Sequence, residues 1–262
     1  MKPKVLVLKA DGTNRDEEMA YAFKIAGGDS KIVHVNQLRD GSVKLKDYQI
    51  LALPGGFAYG DDIVSGKILA IELTSFFKEE LQKFIERKNT AILGVCNGFQ
   101  VLVRTGLLPF REIGKMRVSL TNNDSGHFEC RWIKVKVNNK NNSQFLREMD
   151  NEIIWLPIAH GEGKFIADEE ILKEIEDQNL VAFRYVDENG NPTMEYPENP
   201  NGSLNSIVGI TDTTGRILGM MPHPECFVRV EQHPNWRRGN ITKPQGLPLF
   251  ENIVKFVKEA KP

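Results

Sequence analysis

"TAILGVCNGFQVLVRT", residues 90–105, changes character halfway along. Its first part is a short apolar run that reads as a buried strand, and Asn97 to about Thr105 reads as a short helix. Between them lies Gly94-Val95-Cys96-Asn97-Gly98. A strand that turns abruptly into a helix crowds the residue at the turn, and small neighbours two positions to either side relieve the clash. That is the form of a nucleophile elbow, here with cysteine at its tip. An elbow points the thiol away from the core, and the helix N-terminus favours a thiolate through its partial positive charge and free N–H groups. Buried cysteine beside glycine also serves as plain packing, so these residues alone leave filler and nucleophile both open.

Outward from this turn, the chain alternates strands with amphipathic helices. "KVLVLKA" (residues 4–10) reads as a buried strand ending at Asp11-Gly12. A helix should follow, with Asn14 as N-cap, Glu17 three residues on, and Met19, Ala22, Phe23 and Ala26 at helical spacing before Gly27-Gly28. "SKIVHV" and "QILALPGG" supply a second and a third strand. A helix from about 68 to 87 is predicted next, carrying Leu69, Leu73, Phe76, Phe77, Leu81 and Phe84 on one core-facing stripe. The pattern predicts an α/β fold: a doubly wound, mostly parallel sheet flanked by helices.

From Phe128 the period changes. "FECRWIKVKV" alternates as an antiparallel or edge strand does. "EIIWLPIAHGEGKFIA", "VAFRYV", "SIVGITDTTGRILGMMPHPE" and a last helix near 249–258 complete an antiparallel extension. The Asn/Pro/Gly-rich stretch 187–206 reads as a long surface loop. Residues 1–262 are expected to form a single domain, a length that supports one substantial core.

Composition narrows the function classes. A net charge of -1 argues against a nucleic-acid or anionic-membrane binder, which usually carries a basic excess. No apolar stretch approaches the roughly 20 residues that cross a bilayer, and the start lacks a signal-peptide pattern, so a cytoplasmic location is expected. Cys96, Cys130 and Cys226 form no CxxC pair, which predicts neither a disulfide framework nor a metal site. His127-x-x-Cys130 is half of a metal pattern without a second half.

A thiolate nucleophile needs a base in hydrogen-bond reach and a group to orient that base. "MPHPE" offers both, since His223 and Glu225 share a face if the segment is extended. The apolar "RILGMM" before it reads as a strand ending where doubly wound folds place their sites. A plain surface turn is the competing reading, because His233-Pro234 repeats the dipeptide without an acid. Gly55 and Gly56 in "LPGGFAYGDD" would let backbone approach a substrate, and a free N–H there could pair with that of Asn97 as an oxyanion hole.

With these segments in hand, the chain resembles the triad (class I) glutamine amidotransferases. More narrowly, it resembles the glutaminase subunits of phosphoribosylformylglycinamidine synthase. The motifs are "DGTNRDEEMAYAF", "LPGGFAYGDD", "GVCNGFQVL", "NDSGHFECRW", "PIAHGEGKF" and "GMMPHPE", in family order across nearly the whole chain. The resemblance implies a flavodoxin-like fold, Cys96 as nucleophile, His223 as proton shuttle and Glu225 as its orienting acid. It further implies backbone N–H groups of Gly56 and Asn97 as oxyanion donors and Gln100 as a substrate-binding residue, with L-glutamine as substrate. His160 and Ser125 fall in segments near that pocket, without an assigned role. His127, Cys226 and Ala58 depart from the family pattern, where arginine, arginine and serine are usual.

Amide ligation on a purine precursor requires ATP, yet the chain has no GxxxxGK[ST] or GxGxxG sequence. No cofactor is therefore expected in this chain. The resemblance implies a large synthetase subunit that uses ATP and magnesium, and a small bridging subunit. Two rival readings are a DJ-1/PfpI-like cysteine hydrolase, which usually places histidine where Asn97 stands, and a non-catalytic glutaminase-like scaffold.

Overall fold

The computed structural model describes residues 2–61, 63–149, 153–239 and 241–260, so Asp62 and Glu152 of the motifs quoted above lie outside the described residues. The chain runs β1 (Lys4–Lys9), α1 (Asp16–Ile25), β2 (Asp29–His34), α2 (Val35–Arg39), β3 (Ile50–Leu53), α3 (Lys67–Ser75), α4 (Lys78–Glu86), β4 (Ala91–Val95) and α5 (Asn97–Arg104). It continues with β5 (Val118–Asn122), β6 (Glu129–Val137), β7 (Ile153–His160), β8 (Glu162–Ala167), α6 (Glu169–Asp177), β9 (Val181–Tyr185), β10 (Ile207–Thr211), β11 (Ile217–Met220) and α7 (Leu247–Glu259).

Nine strands form one sheet in the order β2-β1-β3-β4-β11-β10-β9-β6-β7. Pairings from β2 through β11 are parallel, and those from β11 to β7 are antiparallel. β5 and β8 pair separately as a two-stranded antiparallel sheet. The parallel strands are apolar throughout because helices cover them, as in β3 and β4, where every residue is buried. Helix α5 packs on β3, β4 and β11, while α1 and α7 pack on each other through an edge-on Phe23–Phe250 contact at 5.0 Å. The α/β, doubly wound reading and its antiparallel extension are thus the observed architecture.

Several local expectations are corrected. The single helix expected over 68–87 is two, α3 and α4, because the chain breaks at Phe76-Phe77. The break turns Phe76 out of the stripe: it is 66% exposed, with the Arg39 guanidinium 5.1 Å from its ring centre, while Phe77 and Phe84 stay buried. Asn14 does not cap α1, whose N-cap is Arg15 without a side-chain bond. Strand β6, expected to be antiparallel or at an edge, is the former: it lies inside the sheet, antiparallel to both β9 and β7. The 187–206 loop is only half a surface loop. Asn199, Asn201, Ser203 and Ser206 are buried, and Asn201 Nδ2 donates to Tyr185 Oη and to the Gly163 carbonyl. Polar side chains in a buried loop substitute for the ladder bonds its backbone lacks.

Candidate active site

Three parallel strands, β3, β4 and β11, end side by side, with Leu53 opposite Gly94 and Val95 opposite Met220. Their carboxyl ends deliver Gly55-Gly56, Cys96 and His223 to one place, the end of the sheet where doubly wound folds bind ligands.

Cys96 sits at φ 52°, ψ -108°, a conformation that only a tightly imposed turn sustains in a residue with a Cβ. Its N–H donates to the Met220 carbonyl at 2.8 Å, and its carbonyl accepts from Phe99 and Gln100 as α5 begins. Two glycines make that turn possible. A Cβ on Gly98 would lie 1.9 Å from the Leu53 carbonyl oxygen, and one on Gly94 would lie 2.6 Å from the Gly98 carbonyl oxygen. Helix and strands therefore meet backbone to backbone, which lifts Cys96 off the sheet. As the first residue of α5, Asn97 has a backbone N–H with no partner inside the helix.

His223 and Glu225 are both buried, and His223 Nδ1 lies 2.7 Å from Glu225 Oε1. They meet because the chain tightens into a 3₁₀ turn at Pro224–Phe227, not because the segment is extended as expected. The His223 N–H donates to the Pro157 carbonyl at 2.9 Å, so β7 braces the turn. With a carboxylate accepting at Nδ1, the proton sits there and Nε2 is left for chemistry. Nε2 has no partner at full hydrogen-bond geometry, and Cys96 Sγ instead donates to the Ala159 carbonyl at 3.6 Å. Burial alone would lower the His223 pKa, but the Glu225 charge, together with Cys96, more than offsets this and raises it to about 10.

The site wall opposite is glycine. A Cβ on Gly55 would lie 2.6 Å from His223 Cε1 and 3.4 Å from Cys96 Cβ, so any larger residue would push into the His223 ring. Gly56, at φ 133°, bridges to Thr13 in the loop between β1 and α1, and a Cβ there would lie 2.7 Å from Asn14 N. Gln100 is buried with both ends of its amide engaged: Nε2 donates to the Glu162 carbonyl at 2.6 Å and Oε1 accepts from Asn97 Nδ2 at 3.2 Å.

His160 and Asn123 make a second buried pair that the sequence reading left without a role. Asn123 Oδ1 lies 3.0 Å from His160 Nδ1 and accepts from Gly163 N, while its Nδ2 donates to the carbonyls of His160 and His127. Burial, with the His223 charge adding to it, lowers the His160 pKa to about 3. The ring is neutral, its Nε2 a buried lone pair without a partner. Two motifs carry these residues, "NDSG" and "AHGEG", but no periodicity announces that their side chains meet.

The remaining singled-out residues are ordinary. His34 Nδ1 accepts from Asn36 N at the start of α2. His233 is packed among Trp132, Trp155 and Phe227. Cys130 is exposed, and Ser125 Oγ accepts from His127 N at 3.4 Å. Among the described residues, the one cluster with metal-ligand spacing is His223, Glu225 and Cys226, whose His223 and Glu225 atoms already bond each other. Among the described residues, no helix is long and apolar enough to cross a membrane.

Against known proteins, residues 2–257 match the CobB/CobQ-like glutamine amidotransferase domain family. The chain is 42% identical over 259 residues to phosphoribosylformylglycinamidine synthase subunit PurQ of Dehalococcoides mccartyi, covering 98% of this chain and 99% of that one. It is 41% identical over 265 residues to the PurQ subunit of Methanococcus maripaludis strain S2, covering 98% and 96%. Among solved structures, it superposes on a chain of PurLQS from Thermotoga maritima with a TM-score of 0.73 and 28% identity, covering 98% and 99%.

Proposed function

This chain belongs to the family of PurQ subunits of phosphoribosylformylglycinamidine synthase, and from that premise we propose that it hydrolyses L-glutamine to glutamate and ammonia through a thioester on Cys96. Cys96 passes its thiol proton to His223 Nε2, which the Glu225 carboxylate makes basic enough to hold it. That sulfur attacks the side-chain amide carbon of glutamine, the carbonyl pair moves onto oxygen, and the oxyanion is held by the backbone N–H groups of Gly56 and Asn97. As the intermediate collapses, His223 gives its Nε2 proton to the departing nitrogen and ammonia leaves. His223 then takes a proton from water, which attacks the thioester, and glutamate is released with the sulfur restored. Glu225 holds the ring and its charge through both halves. Gln100 serves glutamine binding through the Glu162 segment that it holds.

One observation carries this reading: the buried 2.7 Å His223–Glu225 pair at the strand end beside an elbow cysteine. The whole chain acts as one glutaminase domain. Its ammonia passes to a large synthetase subunit, with a small bridging subunit between them. The synthetase uses ATP and magnesium to convert formylglycinamide ribonucleotide to formylglycinamidine ribonucleotide in purine biosynthesis. Family membership displaces the DJ-1/PfpI-like reading.

The test is reconstitution with the candidate synthetase and bridging subunits. Cys96→Ala abolishes glutamine-dependent synthesis and leaves ammonia-dependent synthesis intact. Glutamate release retained by that variant removes Cys96 from the mechanism.

A further inference from the structure

The two proposed oxyanion donors lie on different elements, Gly56 on the loop after β3 and Asn97 at the start of α5. Backbone donors stabilise an oxyanion only when both are held at about 2.7–3.1 Å from it. Something must fix the loop against the helix.

The loop leaves the glycines and runs through three successive left-handed residues, Tyr59 (φ 57°), Gly60 (φ 68°) and Asp61 (φ 53°). Two of these carry side chains, so tertiary contacts impose this path. Tyr59 N donates to the Asp11 carbonyl, and Tyr59 Oη donates to Glu72 Oε2 at 2.6 Å. Asp61 then turns back to the nucleophile helix. Its Oδ1 accepts from Asn97 Nδ2 at 3.0 Å and from Gly66 N at 3.4 Å, and its Oδ2 accepts from Ser65 Oγ at 3.0 Å. From the same helix, Arg104 Nε donates to the Ser65 carbonyl at 2.8 Å. The shared face of α5, Asn97, Gln100 and Arg104, thus holds the glycine loop through Asp61 and Ser65, and the β7–β8 turn through Glu162.

We propose that Asp61 is a positioning residue for the oxyanion hole: by joining the Asn97 side chain to the Ser65-Gly66 turn, it sets the spacing between the glycine-loop backbone and the Asn97 N–H. The inference rests on the thioester reading above. Asp61 touches neither the sulfur nor the base, and it acts through the donors alone.

The experiment uses the full-length chain reconstituted with its synthetase partners, as wild type, Asp61→Ala, Asp61→Asn and Cys96→Ala. Glutamate release gives kcat and KM, and alkylation by iodoacetamide gives the reactivity of Cys96. That displacement occurs at a methylene carbon and develops no oxyanion. Asp61→Ala should lower kcat about 100-fold, the scale of losing one oxyanion donor, with KM within about three-fold and alkylation unchanged. Asp61→Asn, whose Oδ1 still accepts from Asn97, should recover to within about ten-fold of wild type. The proposal is overturned if Asp61→Ala keeps its kcat, if kcat and alkylation fall together, or if only KM changes. An active Cys96→Ala would sink the thioester reading itself, whereas a dead Cys96→Ala beside a normal Asp61→Ala sinks only this inference.

Discussion

The N–H of His223 donates to the Pro157 carbonyl at 2.9 Å, which fastens the base of a parallel strand end to the antiparallel edge strand β7. Two residues further along β7, the Ala159 carbonyl accepts from Cys96 Sγ. The antiparallel extension thus forms a wall of the candidate site, and both His223, through its backbone, and Cys96, through its sulfur, are referenced to it.

Glu225→Gln keeps the shape of the pair and removes its charge. Glu225 is the chief influence raising His223 against burial, to about 10 in the intact site. Without that charge the ring should hold its proton less tightly, so the alkaline limb of kcat/KM should move toward neutrality in the variant. A pH–rate profile with the limb unmoved would exclude Glu225 as the cause. The same pair contributes to stability: the folded pKa is raised, so the contribution is full below about 6.5 and is lost as pH climbs toward 10. Thermal unfolding across that window should show wild type losing its advantage over Glu225→Gln.

His160 has the opposite sign. Its folded pKa of about 3 lies below the ordinary 6.5, so the unfolded chain binds the proton first. The neutral-ring contribution is full above 6.5 and is lost as pH falls toward 3. Denaturant midpoints should therefore converge between wild type and His160→Gln over that acid range, and a constant difference would mean that His160 does not titrate on unfolding.

Gly98→Ala should cost about 2 kcal/mol or more, because its methyl would meet the Leu53 carbonyl at 1.9 Å and backbone cannot swing aside as a flexible side chain does. The displaced elbow should lose glutaminase turnover as well. Chemical denaturation with unchanged stability would show that β3 yields more readily than this packing implies.

Cys226→Ala should retain turnover to within about two-fold, as expected for a residue outside the reacting set. Burial and the neighbouring Glu225 push the Cys226 thiol up to about 12, so it is neutral at working pH. Mass mapping after brief alkylation at pH 8 should leave Cys226 unmodified, and an inactive Cys226→Ala would mean that the wrong thiol has been assigned.

Much of the fold was legible in the chain. The four apolar runs before residue 96 and the helical spacings between them are local patterns, and they form strands and helices where those patterns lie. What misled was also local. Phe76 fits the stripe by spacing, yet the helix breaks beside it, and buried asparagines in the 187–206 loop look like any polar loop until Tyr185 and Gly163 are seen beneath them.

Taken alone, the sequence determined the elbow, because Gly94 and Gly98 permit a turn that other residues would block. It also determined the residue types of the proposed nucleophile, base and acid, and the alternation that makes a parallel sheet. Only the tertiary structure decided which groups meet: His223 with Glu225 through a 3₁₀ turn, Asp61 with Asn97, and His160 with Asn123. The reason is physical. Strand and helix periods are short-range properties of the backbone, whereas side-chain partners from distant segments are chosen by the strand order of the sheet and the turns at its edge.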